Sequence, residues 1–253
     1  MPRIHNEVDG VLLVDKPQDW TSSDCVCCVR GRFHLAKTGH CGTLDPMATG
    51  LLILLLGKAT KLQDRLMSED KVYEGRLRLG VETDTQDSTG TVTAEQGCDH
   101  VTEQMLRECA QTFVGEIAQV PPMVSAIKKE GRPLYKLARQ GVTVEREPRP
   151  VTIHSFEITA CQLPEAEFRV HCSKGTYIRT LCADLGVRLG CGAIMTALRR
   201  TRSGPMRVED AIPMERLKAM TLEELRAAVL PVATVLAQKE CAPAVPNQPC
   251  QRP

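Results

Sequence analysis

The chain predicts an α+β fold on a mixed sheet, and three observations carry that expectation. "LLILLLG" (Leu51–Gly57) is an unbroken apolar run of strand length, as expected of a strand buried on both faces. "KVYEGRLRL" (Lys71–Leu79) instead alternates: Tyr73, Leu77 and Leu79 point one way, while Glu74, Arg76 and Arg78 point the other. Helical and strand patterns are interspersed without the strict repeat of a parallel α/β sheet. A chain of 253 residues, 42% apolar and 25% charged, fits one large domain or one domain with an appendage, and it can bury a core without cross-links.

Taken in order, "GVLLVDKP" (Gly10–Pro17) reads as a short strand stopped by proline. "TSSDCVCCVRGRF" then offers Thr21, Ser22 and Ser23 as caps for a helix carrying Val26 and Val29. A glycine-rich loop leads into the apolar run and the alternating strand, whose face continues to Val81. After the acidic turn "ETDTQDSTG" comes the short strand "TVTAE". Thr102 caps a helix with an apolar stripe of Met105, Leu106, Cys109, Ala110 and Phe113. "VPPMVSAIKKEGRPLYKLARQG" is a loop with a short helix between Pro133 and Gly141. Two strands follow, "VTIHSFEI" and "EFRVHC", then a helix capped by Thr176 with Tyr177, Ile178, Leu181, Cys182 and Leu185 on one face. "LRRTRSGPMRV" is a last strand and "LEELRAAV" a last helix after Thr221, and the proline-rich end is expected to lack structure. The chain contains no internal repeat.

Twelve cysteines are scattered, and Cys25 and Cys28 form a lone C-x-x-C without a second pair at zinc-ribbon spacing. They read as buried, reduced thiols. "MPRIHNEVDG" has no signal-type apolar stretch, and no apolar run approaches the roughly 18 residues of a membrane span, so a cytoplasmic protein without membrane contact is expected. With a formal charge of +1, an anionic partner needs a local patch, and Met123–Arg149 supplies one: seven basic residues less three acidic ones leave +4. Such a run is either a solvated face or a surface for phosphates.

In "KTGHCGTLDPMATG" (Lys37–Gly50) a single carboxylate, Asp45, stands in a glycine-flanked loop at the mouth of the buried strand. A turn residue or a reactive carboxylate both fit, since glycines let another backbone approach closely. Five segments together decide more. "DKPQDWTSSDCV", "GHCGTLDPMATGLLILLLGKATK", "KVYEGRLRLGVETDTQDSTG", "VPPMVSAIKKEGRPLYKLARQGVTVEREPRPV" and "HCSKGTYIRTLCADLGVRLGCGAIMTALRRTRSG" resemble, in order, the motifs of the TruB family of bacterial tRNA pseudouridine synthases. The likeness runs from about Gly10 to about Pro231.

The resemblance implies a pseudouridine synthase fold: a mixed, mostly antiparallel sheet flanked by helices, with an RNA-binding cleft. It implies an isomerase that flips out uridine 55 of the tRNA T loop, detaches the base, rotates it and rejoins it through C5. Asp45 matches the family's catalytic aspartate, Arg179 the arginine paired with it, and Tyr73 the tyrosine that stacks on the base and helps remove its C5 proton. Leu198 matches an apolar residue of the base pocket, His40 a histidine that meets flipped T-loop bases, and Lys128 a lysine on the RNA side. Lys16 and Pro17 match a motif that supports the pocket wall. Neither metal nor cofactor is needed, and the expected partner is the tRNA T arm, met by a monomer without an obligatory protein partner.

These expectations put a catalytic domain at residues 1–230, with an RNA-contacting insertion at about 121–149, and a short tail without structure at 231–253 where family members usually continue into a PUA domain. Cys41 and Trp20 stand where smaller or hydroxylated residues are expected, and Cys41, four residues before Asp45, raises the prospect of a site sensitive to oxidation. A tRNA-folding chaperone that does not turn over, and the catalytic subunit of a guide-RNA particle, are the competing functions. The joint retention of Asp45, Tyr73 and Arg179 speaks against the first. The bacterial-type "HCSKGTYIRTL" and the short chain speak against the second.

Overall fold

The computed structural model describes residues 7–125, 128, 129, 132, 133, 140, 142 and 144–240. Its strands are β1 (Gly10–Lys16), β2 (Thr38–Cys41), β3 (Thr49–Leu56), β4 (Lys71–Leu79), β5 (Val81–Thr83), β6 (Val92–Glu95) and β7 (Gly115–Gln119). They continue with β8 (Lys128–Lys129), β9 (Arg132–Pro133), β10 (Arg149–Gln162), β11 (Glu165–Cys172), β12 (Ala193–Ser203), β13 (Met206–Arg207) and β14 (Ile212–Pro213). The helices are α1 (Ser22–Arg32), α2 (Gln63–Met67), α3 (Glu103–Gln111), α4 (Ile178–Arg188), α5 (Met214–Ala219), α6 (Leu222–Ala228) and α7 (Val232–Glu240).

One sheet runs in the order β14-β1-β3-β12-β4-β11-β10-β7, with β2 added beside β3 and β13 beside β12. Its neighbours are antiparallel except at β1/β14 and β3/β12, as a mixed sheet requires. The apolar run behaves as its pattern demands. Leu52, Leu54 and Leu56 of β3 face one core with α1, α3 and α4, while Leu51, Ile53 and Leu55 face a second with Leu66, Met206 and Val235. In β4, Tyr73, Leu77 and Leu79 join the first core, and Glu74, Arg76 and Arg78 stay in solvent. The parallel joint is tight. Arg200 pairs with Gly50, whose φ is +99° and whose place would put a Cβ 2.4 Å from the Arg200 carbonyl oxygen. Only glycine fits there.

Thr21 caps α1 in a capping box with Asp24, and Thr221 caps α6 in the same way with Glu224. Several expectations need correction. The strand ends at Leu79 because Gly80, at φ +84°, turns the chain, so Val81 starts a separate ribbon with β6. Met105 is 40% exposed and leaves the helix stripe. Thr176 does not cap α4, since its hydroxyl donates to the Ser173 carbonyl; Tyr177 is the cap residue, clamped by the Gln119 side-chain amide. The last strand begins five residues early, at Ala193, and turns at Gly204 into a hairpin with β13. Residues 232–240, expected in an unstructured tail, form α7 and bury Val235, because an apolar residue on that turn closes the second core. The helix expected between Pro133 and Gly141 and the end of the tail, 241–253, lie outside the described residues.

Candidate functional site

The loop between β2 and β3 is fastened on both sides of Asp45. Lys16, fully buried, donates its ammonium to the carbonyls of Pro17 (2.8 Å), Trp20 (2.6 Å) and Pro46 (3.1 Å). The Ser22 hydroxyl, at the start of α1, accepts from the Leu44 amide at 2.9 Å. Arg200 of β12 donates to the Gly42 carbonyl at 3.0 Å and to Leu51 of β3 at 2.7 Å. With its neighbours on both sides held, Asp45 projects its carboxylate into a pocket of about 620 Å³, with a third of the side chain, 33%, open to solvent. That volume is ordinary for a site holding a small organic ligand.

Three elements meet across the pocket: Tyr73 of β4, Leu198 of β12 and Arg179 of α4 all line it with Asp45. Arg179 is 4% exposed; its guanidinium reaches the Asp45 carboxylate at 3.3 Å, the Asp87 carboxylate at 3.7 Å and the Val124 carbonyl at 2.6 Å. Burial pushes the Asp45 carboxyl above its ordinary pKa and the neighbouring Asp87 adds to that, while Arg179 and Lys16 pull it back toward ionisation. Burial also raises the Tyr73 phenol, which therefore stays protonated at neutral pH. Lys71, on the pocket wall, is lowered to about 8 by burial and by the charge of Arg200.

Sequence reasoning thus brought Asp45, Tyr73, Arg179 and Leu198 to one pocket. It did not do so for Lys16, whose three donor contacts keep it beneath the loop rather than on a surface a substrate could touch. His40 sits on β2 outside the pocket lining, with a buried, unpartnered Nδ1. The backbone of Lys128 pairs with Pro133, and its side chain lies outside the described residues. In the basic segment Arg149 lines the pocket and Arg146 donates to Pro121, while Lys136 and Arg139 lie outside the described residues. Cys41 departs from the oxidation hypothesis: the thiol is buried and pushed up to about 11, a protonated state that resists oxidation.

Missed from the sequence were Asp87, Gln86, Gln119 and Arg200. Asp87 is 3% exposed and accepts from the hydroxyls of Thr85 (2.8 Å) and Thr89 (2.6 Å), which hold it toward Arg179. Hydroxyls two residues to either side of a carboxylate were the available signal in "TDTQDST". Gln86, at φ +64°, accepts from Thr180 in the first turn of α4, beside Arg179. For Arg200 the signal was strand alternation from Leu198, which gives the two residues one face.

Residues 30–178 match the family described as "TruB family pseudouridylate synthase (N terminal domain)", and residues 179–237 match "tRNA pseudouridylate synthase B C-terminal domain". The chain belongs to the TruB family. Among its relatives are proteins named tRNA pseudouridine synthase B. That of Syntrophotalea carbinolica is 49% identical over 229 residues, 90% of this chain and 75% of the relative. That of Opitutus terrae is 50% identical over 226 residues, 89% of this chain and 94% of the relative. Among solved structures, the crystal structure of a Cbf5–Nop10–Gar1 complex superposes with a TM-score of 0.71 at 30% identity, covering 90% of this chain and 62% of that one. An H/ACA RNP bound to a substrate RNA containing 2′-deoxyuridine gives 0.68 at 28% identity, over 90% and 61% of the two chains. This chain spans about three fifths of the length of those structural neighbours. The expected family and pseudouridine synthase fold are thereby borne out. No helix among the described residues is long and apolar enough to cross a membrane.

Proposed function

We infer that the chain is a tRNA pseudouridine synthase acting on uridine 55 of the T loop, with Asp45 as the group that opens the glycosidic bond. The single observation that carries the reading is the Asp45 carboxylate. It is fixed by its neighbours, paired with a buried arginine and projected into a pocket of about 620 Å³. A base inside a folded loop has to be unstacked before its ribose is reachable, and such flipping costs a few kcal/mol. Addition of the carboxylate to C1′ and removal of the C2′ proton both start from an ionised Asp45, which Arg179 supports. The C1′–N1 bond breaks with its electron pair going to the base, and the freed base turns; C5 then bonds to C1′ as the Asp45 carboxylate leaves C1′ or as the proton it took returns to C2′, after which C5 gives up its proton and N1 gains one. Tyr73, in neutral form, stacks on the base, and its hydroxyl can relay that proton only by passing on its own as it takes it, while Leu198 closes the apolar side.

The partner in this reading is the tRNA T arm, with residues 1–230 as the catalytic unit and 121–149 contacting RNA phosphates. Among the described basic residues of that segment, Arg149 lines the pocket. His40 and Lys128 would meet RNA outside the pocket, Lys16 would hold the loop, and the protein would work as a monomer in the cytoplasm.

The test is release of tritium from C5 of uridine in an unmodified tRNA transcript. The wild-type protein should release label, and Asp45→Asn should bind tRNA and release none. A wild type that binds tRNA without release is a folding chaperone, and the synthase reading fails.

A further inference from the structure

Away from the pocket, the sheet gathers two imidazoles from β10 and β11 and a carboxylate from the residue before β4. Asp70 immediately precedes β4, His171 lies on β11 opposite Val72, and His154 lies on β10. The pairing of β10 with β11 slips between Ile153 and Ser155, so His154 is an extra residue in a bulge. A bulge re-aims a side chain, and this one sets the His154 ring 4.6 Å from that of His171. His154 Nε2 also lies 3.0 Å from the Asp70 carboxylate. One ligand atom from each residue falls within 4.8 Å of the other two. Pairing with Val72 rather than Tyr73 puts His171 on the sheet face opposite the Asp45 pocket.

A bland account exists, since an exposed His–Asp pair contributes less than about 1 kcal/mol and is common. It leaves the second imidazole unexplained. Two imidazoles and one carboxylate on one face form a donor set that suits zinc and its first-row neighbours, whereas magnesium and calcium prefer oxygen donors. At metal–nitrogen lengths of about 2.0–2.1 Å, tetrahedral donors stand roughly 3.3 Å apart, close to the present separation of at most 4.8 Å. His154 and Asp70 are 36% and 45% exposed, which gives an ion an approach and leaves room for water on it. Arg169 and Arg202 are the nearby opposing charges; Arg169 lies 4.0 Å from Glu74, and Arg202 donates to the Gly204 carbonyl at 2.7 Å.

We propose that Asp70, His154 and His171 form a binding site for a first-row divalent cation of the zinc type. Bound there, the ion ties β10 and β11 to the start of β4. The adjoining residues Lys71 and Ser173 line the pocket, so the clasp braces one of its walls from behind.

Cobalt(II) titration of the full chain, followed by visible absorption, tests this. Wild type should bind one equivalent with the d–d bands of nitrogen and oxygen ligation and no thiolate charge-transfer band, and excess magnesium should not displace it. His154→Gln and His171→Gln should each weaken binding by about tenfold or more, and Asp70→Asn should do the same. Metal-free melting curves of the three variants should match wild type, and zinc should raise the melting temperature of wild type alone. Absence of binding, a thiolate spectrum, or affinity indifferent to the histidine variants overturns the proposal. A variant that melts early without metal is replaced in the comparison by the other two.

Discussion

Two buried arginines line the same pocket, and they are held in different ways. Arg200, 1% exposed, donates to backbone carbonyls of β3 and of the Asp45 loop. Arg179, 4% exposed, lies against two carboxylates, Asp45 and Asp87, and one carbonyl. Burying a cation is costly unless it is paired, so both must be answered, but the answer chosen decides the role. Carbonyls cannot change protonation, so the two that Arg200 holds serve to pin backbone segments to each other, while its charge also bears on Tyr73 and Lys71. Carboxylates can, so Arg179 sets the charge of Asp45. One region keeps shape and the other keeps a reactive state.

Substitutions can break that contrast, beginning with the largest effect. Asp45→Asn should lower turnover by at least about 10³-fold yet leave stability unchanged or slightly raised. A group whose pKa is raised on folding stabilises fully only below its unfolded value, and that contribution is lost as pH climbs past the folded one. The ionised Asp45 therefore costs stability at neutral pH, and urea midpoints that fall in the variant would count against this. Arg200→Met should behave the other way. It strands two buried carbonyls at about 1–3 kcal/mol each, so unfolding by urea should show a loss near 3 kcal/mol. Arg179→Lys should cost about 100-fold in kcat, with under about 1 kcal/mol of stability. An Arg179→Lys protein less stable than Arg200→Met would invert the comparison.

Smaller effects sharpen it. Activity should fall on the acid side at a pH above the ordinary carboxylate value near ~3.9, because the working form is ionised Asp45 and its pKa is raised. Arg179→Lys should move that limb further up, whereas wild-type salt bridges at the surface should not affect it. Thr221→Ala, which removes the α6 capping box far from the pocket, should cost about 1 kcal/mol and leave turnover untouched.

Much of this was legible beforehand, for reasons that differ from residue to residue. The unbroken apolarity of β3 and the alternation of β4 are local signals, and both strands sit where those patterns put them. Asp45, Tyr73, Arg179 and Leu198 were found through motif order, which holds long-range information that no single window contains. Lys16 was read as a support of the pocket wall, but the chemistry of a lysine did not say that three backbone carbonyls would be what it holds. Asp87 and Arg200 were missed because their importance comes from partners 92 and 158 positions away, Arg179 and Gly42 respectively. Residues 232–240 were counted with the tail because the family likeness stops near Pro231, yet Val235 is buried in the second core and Val232 packs against it.

Gly50 has a practical consequence. With Arg200's carbonyl oxygen 2.4 Å from where its Cβ would stand, that position admits no side chain, so the seam between β3 and β12 is closed to redesign. Libraries aimed at bulkier nucleobases should therefore spare positions 42 and 50, and Gln119 with its clamp on Tyr177, and randomise Leu198, whose side chain borders the void without bearing on that seam.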